Sequence, residues 1–214
     1  MARAIGFLVY PGFQLLDATG PIAAFEIAGR LSPGAYSLHF LSLNGGLTPS
    51  SSGVVIPTPA LADCPRLDTL LISGGDGVKV PATCDATLAF VREAGRLSRR
   101  VASVCSGTYV LAEAGLLDGK RATTHWSRTQ DFQRRYPNIR LEPDRIFIQD
   151  GAIWSSAGIT AGIDLALALI GADEGEAIAR RTAQQLVVYH HRPGGQSQHS
   201  ALIDLRPGRF DALL

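Results

Sequence analysis

Short runs of uninterrupted apolar residues, each followed by a helix-like stretch, recur along this chain and restrict its fold more than any other feature. RAIGFLVY at 3–10, YSLHFLSL at 36–43, DTLLISGG at 68–75 and VASV at 101–104 have strand length. Continuous apolar strands are buried on both faces, as in a parallel sheet whose crossovers are helices. The pattern predicts helices from Thr19–Pro21 through Arg30, over 85–98, from Ser106 to Leu117, over 127–135, from about Gly158 to Ile170, and from Glu174 to Val188. In the 85–98 helix, Leu88, Val91 and Leu97 share one face, while Arg92, Arg96, Arg99 and Arg100 lie outward or at its end. Residues 44–61 read as an edge hairpin, and Asp150-Gly151 joins two strand-like pieces, RIFIQD and AIWSSAG. The fold class is therefore α/β: a three-layer sandwich with a mostly parallel sheet and helices on both faces.

The joint between VASV and the next helix carries Cys105. Gly107 and the small Ser103 and Ser106 permit the tight strand-to-helix turn of a nucleophile elbow, with a thiol at the apex instead of a hydroxyl. Unpaired amides and the positive dipole end of the following helix favour thiolate over thiol, which predicts a reactive cysteine at neutral pH. The competing reading is an inert, buried small hydrophobe.

Open sheets of this kind hold ligands outside the carboxyl ends of their strands. Asp17, Gly74 with Gly75, Cys105 and His125 all follow strand-like runs within a few residues, so they should gather on one rim. An acid, a thiol, an imidazole and a glycine pair are the parts of a nucleophilic site. Asp17 can exchange a proton with substrate or thiol, or it can cap the helix after it. Backbone amides near Gly75 and Ser106 can form an oxyanion hole. His125 can act as base or pack beside Trp126. Thr160 can line the cleft, and Ser155 and Ser156 read as caps of the helix that follows. His39 reads as a packed strand residue.

Twenty basic and nineteen acidic residues in 214 leave a net charge of +1, so nothing in the balance attracts nucleic acid or an anionic membrane. The arginines of 92–100 read as a solvated face. AIARRTAQQL has a spacing that fits packing on the sheet, and it is not read as half of a helix-turn-helix. Three cysteines without regular spacing fit a reducing compartment and no metal site, with Cys64 and Cys84 as bystanders. With no signal peptide and no apolar run near the ~20 residues of a membrane span, the expected location is the cytoplasm.

The Cys105 elbow, Asp17 after the first strand and SSAGITAGIDLALALI at 155–170 resemble the DJ-1/PfpI superfamily, across residues 3 to 190. That resemblance implies a class I glutamine-amidotransferase-like sandwich, no cofactor, and a homodimer. LLDATGP with the hydroxyl residue after Cys105 looks like the isonitrile hydratase branch, in which the acid and the cysteine hydrate the substrate carbon. AEAGLLDGKRATTHW at 112–126 and VVYHHRPGGQSQHS at 187–200 look like the sensor half of AraC-type transcriptional regulators. That branch implies a small-molecule effector bound in the elbow pocket, and DNA contacted only through a downstream helix-turn-helix domain. The resemblance divides the chain into a 1–190 domain and a 191–214 segment leading out of it, with 210–214 resembling the start of a further helix. Ser106 stands where the superfamily's proteases carry a histidine, which argues against a Cys-His-Glu triad. Three functions follow as expectations: an effector-sensing domain, a cysteine-dependent hydratase or hydrolase with Cys105 as nucleophile and Asp17 as acid/base, and a redox or glyoxalase-like activity.

Overall fold

The computed structural model describes residues 2–79, 84–189, 192–195 and 197–198. In chain order the elements are β1 (Arg3–Leu8), α1 (Leu15–Leu31), β2 (Tyr36–Leu41), β3 (Asn44–Pro49), β4 (Val55–Ala60), β5 (Thr69–Ile72), α2 (Asp85–Leu97), β6 (Arg100–Val104) and α3 (Thr108–Glu113). There follow β7 (Arg121–Ala122), α4 (Thr129–Arg135), β8 (Arg140–Leu141), β9 (Phe147–Asp150), β10 (Ile153–Ser156), α5 (Ala161–Glu174) and α6 (Glu176–Gln185). Six strands form the main sheet in the order β2-β1-β5-β6-β10-β9. All neighbours are parallel except β9, which pairs antiparallel with β10 through the Asp150-Gly151 turn.

The alternation of side chains along each strand feeds two cores. Ile5, Phe7, Leu71, Ala102, Val104 and Trp154 face α1 and α5 on one side. Leu8, Leu70, Ile72, Val101 and Ile153 face α2, α3 and Phe132 of α4 on the other. The three-layer α/β sandwich read from the sequence is the observed fold. The order in which strands are added reverses between β1 and β5, since β2 lies to one side of β1 and the later strands to the other. That switch point opens a crevice at the strands' carboxyl ends.

Several local expectations are corrected. The first helix begins at Leu15, four residues early, and takes Pro21 into its interior. Tertiary contacts to Asp17 hold that first turn, overriding the propensity of the proline. The 44–61 hairpin forms its own two-stranded sheet instead of an edge of the main one, tied to it by the Ser42–Ala60 bridge. Leu97 is 52% exposed, and Ala94 takes its place on the buried face of α2. Arg100 does not point outward: it begins β6 and is buried, with Nη2 2.5 Å from Asp173 at the end of α5. A charge can be buried where a partner from far along the chain meets it, and such a partner cannot be seen locally. Helix α3 is also shorter than expected, six residues following a 3₁₀ turn at Cys105–Gly107.

Helix α6, which carries AIARRTAQQL, packs on α1 and α5 instead of the sheet and buries Ala179, Thr182 and Ala183. His39 sits within β2 against Ser37, as expected of a packed strand residue. Residues 192–195 and 197–198 lie on the domain: Gly194 accepts from the Ile146 amide at 3.0 Å, and Ser197 donates to Asp144 at 2.9 Å. The expected start of a helix at 210–214 lies outside the described residues. None of the described helices is long and apolar enough to cross a membrane.

Candidate functional site

Cys105 directly follows β6 in a left-handed conformation, φ +58°, which an L-residue holds only when its surroundings fix it. Two contacts do so. Thr124, just beyond β7, donates its hydroxyl to the Cys105 carbonyl at 2.9 Å. Gly158, beyond β10, passes so close that a Cβ there would fall 2.1 Å from Cys105 Cβ. The thiol is thus wedged between turns at the ends of three strands. Gly74, after β5, closes the fourth side, since its own missing Cβ would lie 2.7 Å from Asp17 Oδ2, 2.7 Å from the Ser106 nitrogen and 2.8 Å from Cys105 Cβ. Acid, amide and thiol converge on that glycine.

Asp17 reaches the site from the first turn of α1 and is only 1% exposed. It does not cap the helix. Gln14 occupies that position without a side-chain bond, while the Asp17 carboxylate accepts from the Gly74 amide at 3.1 Å and the Ile159 amide at 2.7 Å. Burial pushes Asp17 up to about 6, although the two amides and the Cys105 thiol stabilise its charge. Cys105, 8% exposed, is pushed up to about 12, first by burial and then by the Asp17 charge, against the opposing Ser106 amide. The expectation of a thiolate is therefore reversed. A six-residue helix supplies a weak dipole, and desolvation with a neighbouring carboxylate outweighs it. At neutral pH the stable arrangement is a protonated thiol hydrogen-bonded to an ionised carboxylate.

Cys105 opens into a cavity of about 250 Å³ bounded also by Gly75, Asp76, Ser106, His125, Arg128 and Ile159, while Asp17 is not on its wall. Of the residues singled out in the sequence, Asp17, Gly74, Gly75, Cys105, Ser106 and His125 come together at this rim. The Gly75 amide, expected to face an oxyanion, instead donates to the Ser106 hydroxyl at 2.9 Å. The Ser106 amide and hydroxyl are the groups directed at the sulfur that favour its charged form. His125 lines the pocket with Nδ1 2.8 Å from the Ser127 hydroxyl. Thr160 is not on the cavity wall; it is exposed, and its hydroxyl accepts from Arg192 at 3.0 Å. Ser155 is no cap, for it accepts from the Thr123 amide, and Ser156 is buried at the end of β10.

Four participants escaped the sequence: Gly158, the Ile159 amide, Thr124 and Arg128. A glycine two residues after a strand was the one available signal for Gly158. An amide that serves through its backbone leaves no trace in residue type. Arg128 pairs with the exposed Asp76 at 2.8 Å, and both line the pocket, so its wall carries an ion pair. Among the described residues no group of His, Cys, Asp and Glu is placed to hold a metal ion.

The sequence pattern of the DJ-1/PfpI family matches residues 3–172. Over 172 residues the chain is 40% identical to isonitrile hydratase of Pseudomonas putida, covering 79% of this chain and 71% of that enzyme. Over 194 residues it is 34% identical to the HTH-type transcriptional regulator CdhR of Pseudomonas aeruginosa, covering 90% of this chain but 57% of the regulator, so it spans little more than half of that relative. The crystal structure of a ThiJ/PfpI family protein from Pseudomonas syringae superimposes with a TM-score of 0.80 at 28% identity, over all of this chain and 84% of that one. A crossover sheet with a strained cysteine one strand from its switch point, an acid from the first helix and a matching pattern over most of its length make this chain a member of the DJ-1/PfpI family.

Proposed function

We propose that this domain is the effector-sensing part of an AraC-family transcriptional regulator, with the Cys105 pocket as the ligand site. The observation that carries the reading is the state of the thiol. A cysteine held protonated by burial and by Asp17, which takes up its one S–H, presents a neutral sulfur to a ligand and is a poor free nucleophile. The likeness to an HTH-type regulator over 90% of the chain supports it. The effector is a small, nitrogen-containing polar metabolite, as suits a cavity of about 250 Å³ with Arg128, His125 and hydroxyls on its wall. The domain acts as a homodimer in the cytoplasm, and DNA is contacted by a separate helix-turn-helix module.

Thermal unfolding of the 214-residue protein against a panel of small amines, amides and amino acids tests this. A true effector at 100 times its Kd stabilises the fold by about 2.7 kcal/mol, and Asp17→Asn weakens that effect. If no compound shifts the transition, or if one does so equally in Asp17→Asn, the pocket is not the sensor.

A second reading is favoured by the Asp17–Cys105 pair itself: hydration of an isonitrile. The thiol adds to the terminal carbon, forming a C–S bond, and its proton passes through Asp17 to that carbon. Water then adds, the C–S bond breaks, sulfur regains a proton, and an N-substituted formamide leaves. An acid near pH 6 can both take and return the proton. Formamide release from cyclohexyl isocyanide, abolished in Cys105→Ala, supports catalysis; no turnover by the wild type removes it.

A further inference from the structure

Two turns grip Cys105, and both are held from outside by one short strap, residues 192–195 with 197–198. At its start, Arg192 clamps Asp164 in the first turn of α5. Its backbone amide donates to Oδ1 at 2.8 Å, and Nε and Nη2 donate to Oδ2 at 3.0 and 2.6 Å. The same guanidinium donates to Thr160. Thr160 follows Ile159, whose amide holds Asp17, and Gly158, which backs Cys105. At its end, the Gln198 side-chain amide sits among the carbonyls of Thr124, Pro143 and Arg145 at 3.0, 2.8 and 3.2 Å. Its Oε1 accepts from the Trp126 amide at 3.0 Å. That turn carries His125 into the pocket, and Thr124 bonds the Cys105 carbonyl.

We infer that Arg192 and Gln198 are positioning residues that couple the Cys105 pocket to the chain beyond it, so that displacing either site turn loosens the strap these two residues anchor and releasing the strap opens the pocket. The reason is geometric: neither turn can move outward without breaking a charge-assisted clamp or an amide seated among three carbonyls. Its biological meaning, transmission of pocket occupancy to whatever follows Gln198, rests on the sensing reading above, but the coupling does not depend on any ligand.

The coupling can be read from both ends. From the strap end, the full chain carrying Cys64→Ser and Cys84→Ser is treated with N-ethylmaleimide, and labelling of Cys105 is followed by mass spectrometry. Arg192→Ala and Gln198→Ala should each speed labelling by about fivefold or more, within the usual range of such couplings. Gln198→Glu, which sets a carboxylate against three carbonyls, should do the same if the alanine variant folds poorly. From the pocket end, the maleimide adduct at Cys105 on an unmutated strap should speed amide hydrogen exchange over 192–198 by a similar factor. Labelling rates within twofold of the parent, or unchanged exchange after adduct formation, would overturn the inference and leave the strap a passive support. Absence of any effector would sink the sensing reading while leaving both of these measurements intact.

Discussion

Asp17 Oδ1 accepts the Ile159 amide proton at 2.7 Å across 142 positions of sequence. This bond ties the first turn of α1 to the turn before α5, and with the Gly74 amide it fixes a carboxylate beside the Cys105 thiol. The consequences are electrostatic, and they can be measured.

The raised Asp17 pKa makes the ionised site a cost to folding. The native state binds its proton up to about pH 6, whereas the unfolded chain releases it near 3.8. Between those values the native state holds more protons, so this group's contribution falls as pH rises and is lowest above about pH 6. The full difference is about 3 kcal/mol. Asp68, held low by Arg99 and Thr69 against its partial burial, titrates below this window. The difference between wild type and Asp17→Asn isolates the site. Urea unfolding from pH 4 to 7 should show the variant gaining on wild type as pH rises. A pH-independent difference would mean that Asp17 titrates normally.

Cys105 should be a slow thiol. Held near 12, it should alkylate at a rate that still climbs between pH 8 and 11. Cys84, kept below the usual thiol value by bonds to Thr87 and to backbone amides at the start of α2, should level off earlier. Asp17→Asn removes a repulsive charge and should speed Cys105 alkylation at pH 8 several-fold, while abolishing any isonitrile turnover. If the variant alkylates more slowly, Asp17 serves as a base toward the free thiol.

Gly158→Ala should damage the site and the fold together. At φ +86° a side chain costs about 1–3 kcal/mol in backbone strain, and the clash with Cys105 Cβ adds to it. Gly34→Ala is the control, because its φ is +82° with nothing within 4 Å. Calorimetry should place Gly158→Ala below Gly34→Ala by at least about 4 °C, at roughly 2–4 °C per kcal/mol. Equal melting temperatures would show that the cysteine turn yields.

Asp173→Ala should be among the most destabilising changes away from the pocket. Its fully buried carboxylate meets Arg100 at 2.5 Å and Arg99 at 2.7 Å. Removing it strands the buried Arg100 charge at a cost of about 3–5 kcal/mol. Denaturant unfolding would read this directly, and a loss under 1 kcal/mol would mean that solvent replaces the carboxylate.

The amino-acid order by itself determined the alternation of strands and helices, the sandwich that follows from it, and the rim where Asp17, Gly74, Cys105 and His125 meet. Those depend on periodicity and on chain direction, which are local properties of a sequence. Tertiary structure alone decided the chemistry at that rim. Whether Cys105 is thiol or thiolate depends on how much water and which charges surround it, and the deciding groups arrive from α1, β5 and the turn after β10. The Gly75 amide was legible as a donor, but its capture by Ser106 was not. Arg100 was legible as a charge, but its burial required Asp173 from the far end of α5. A residue's type fixes what it can do, and the partners that long-range packing brings to it decide what it does.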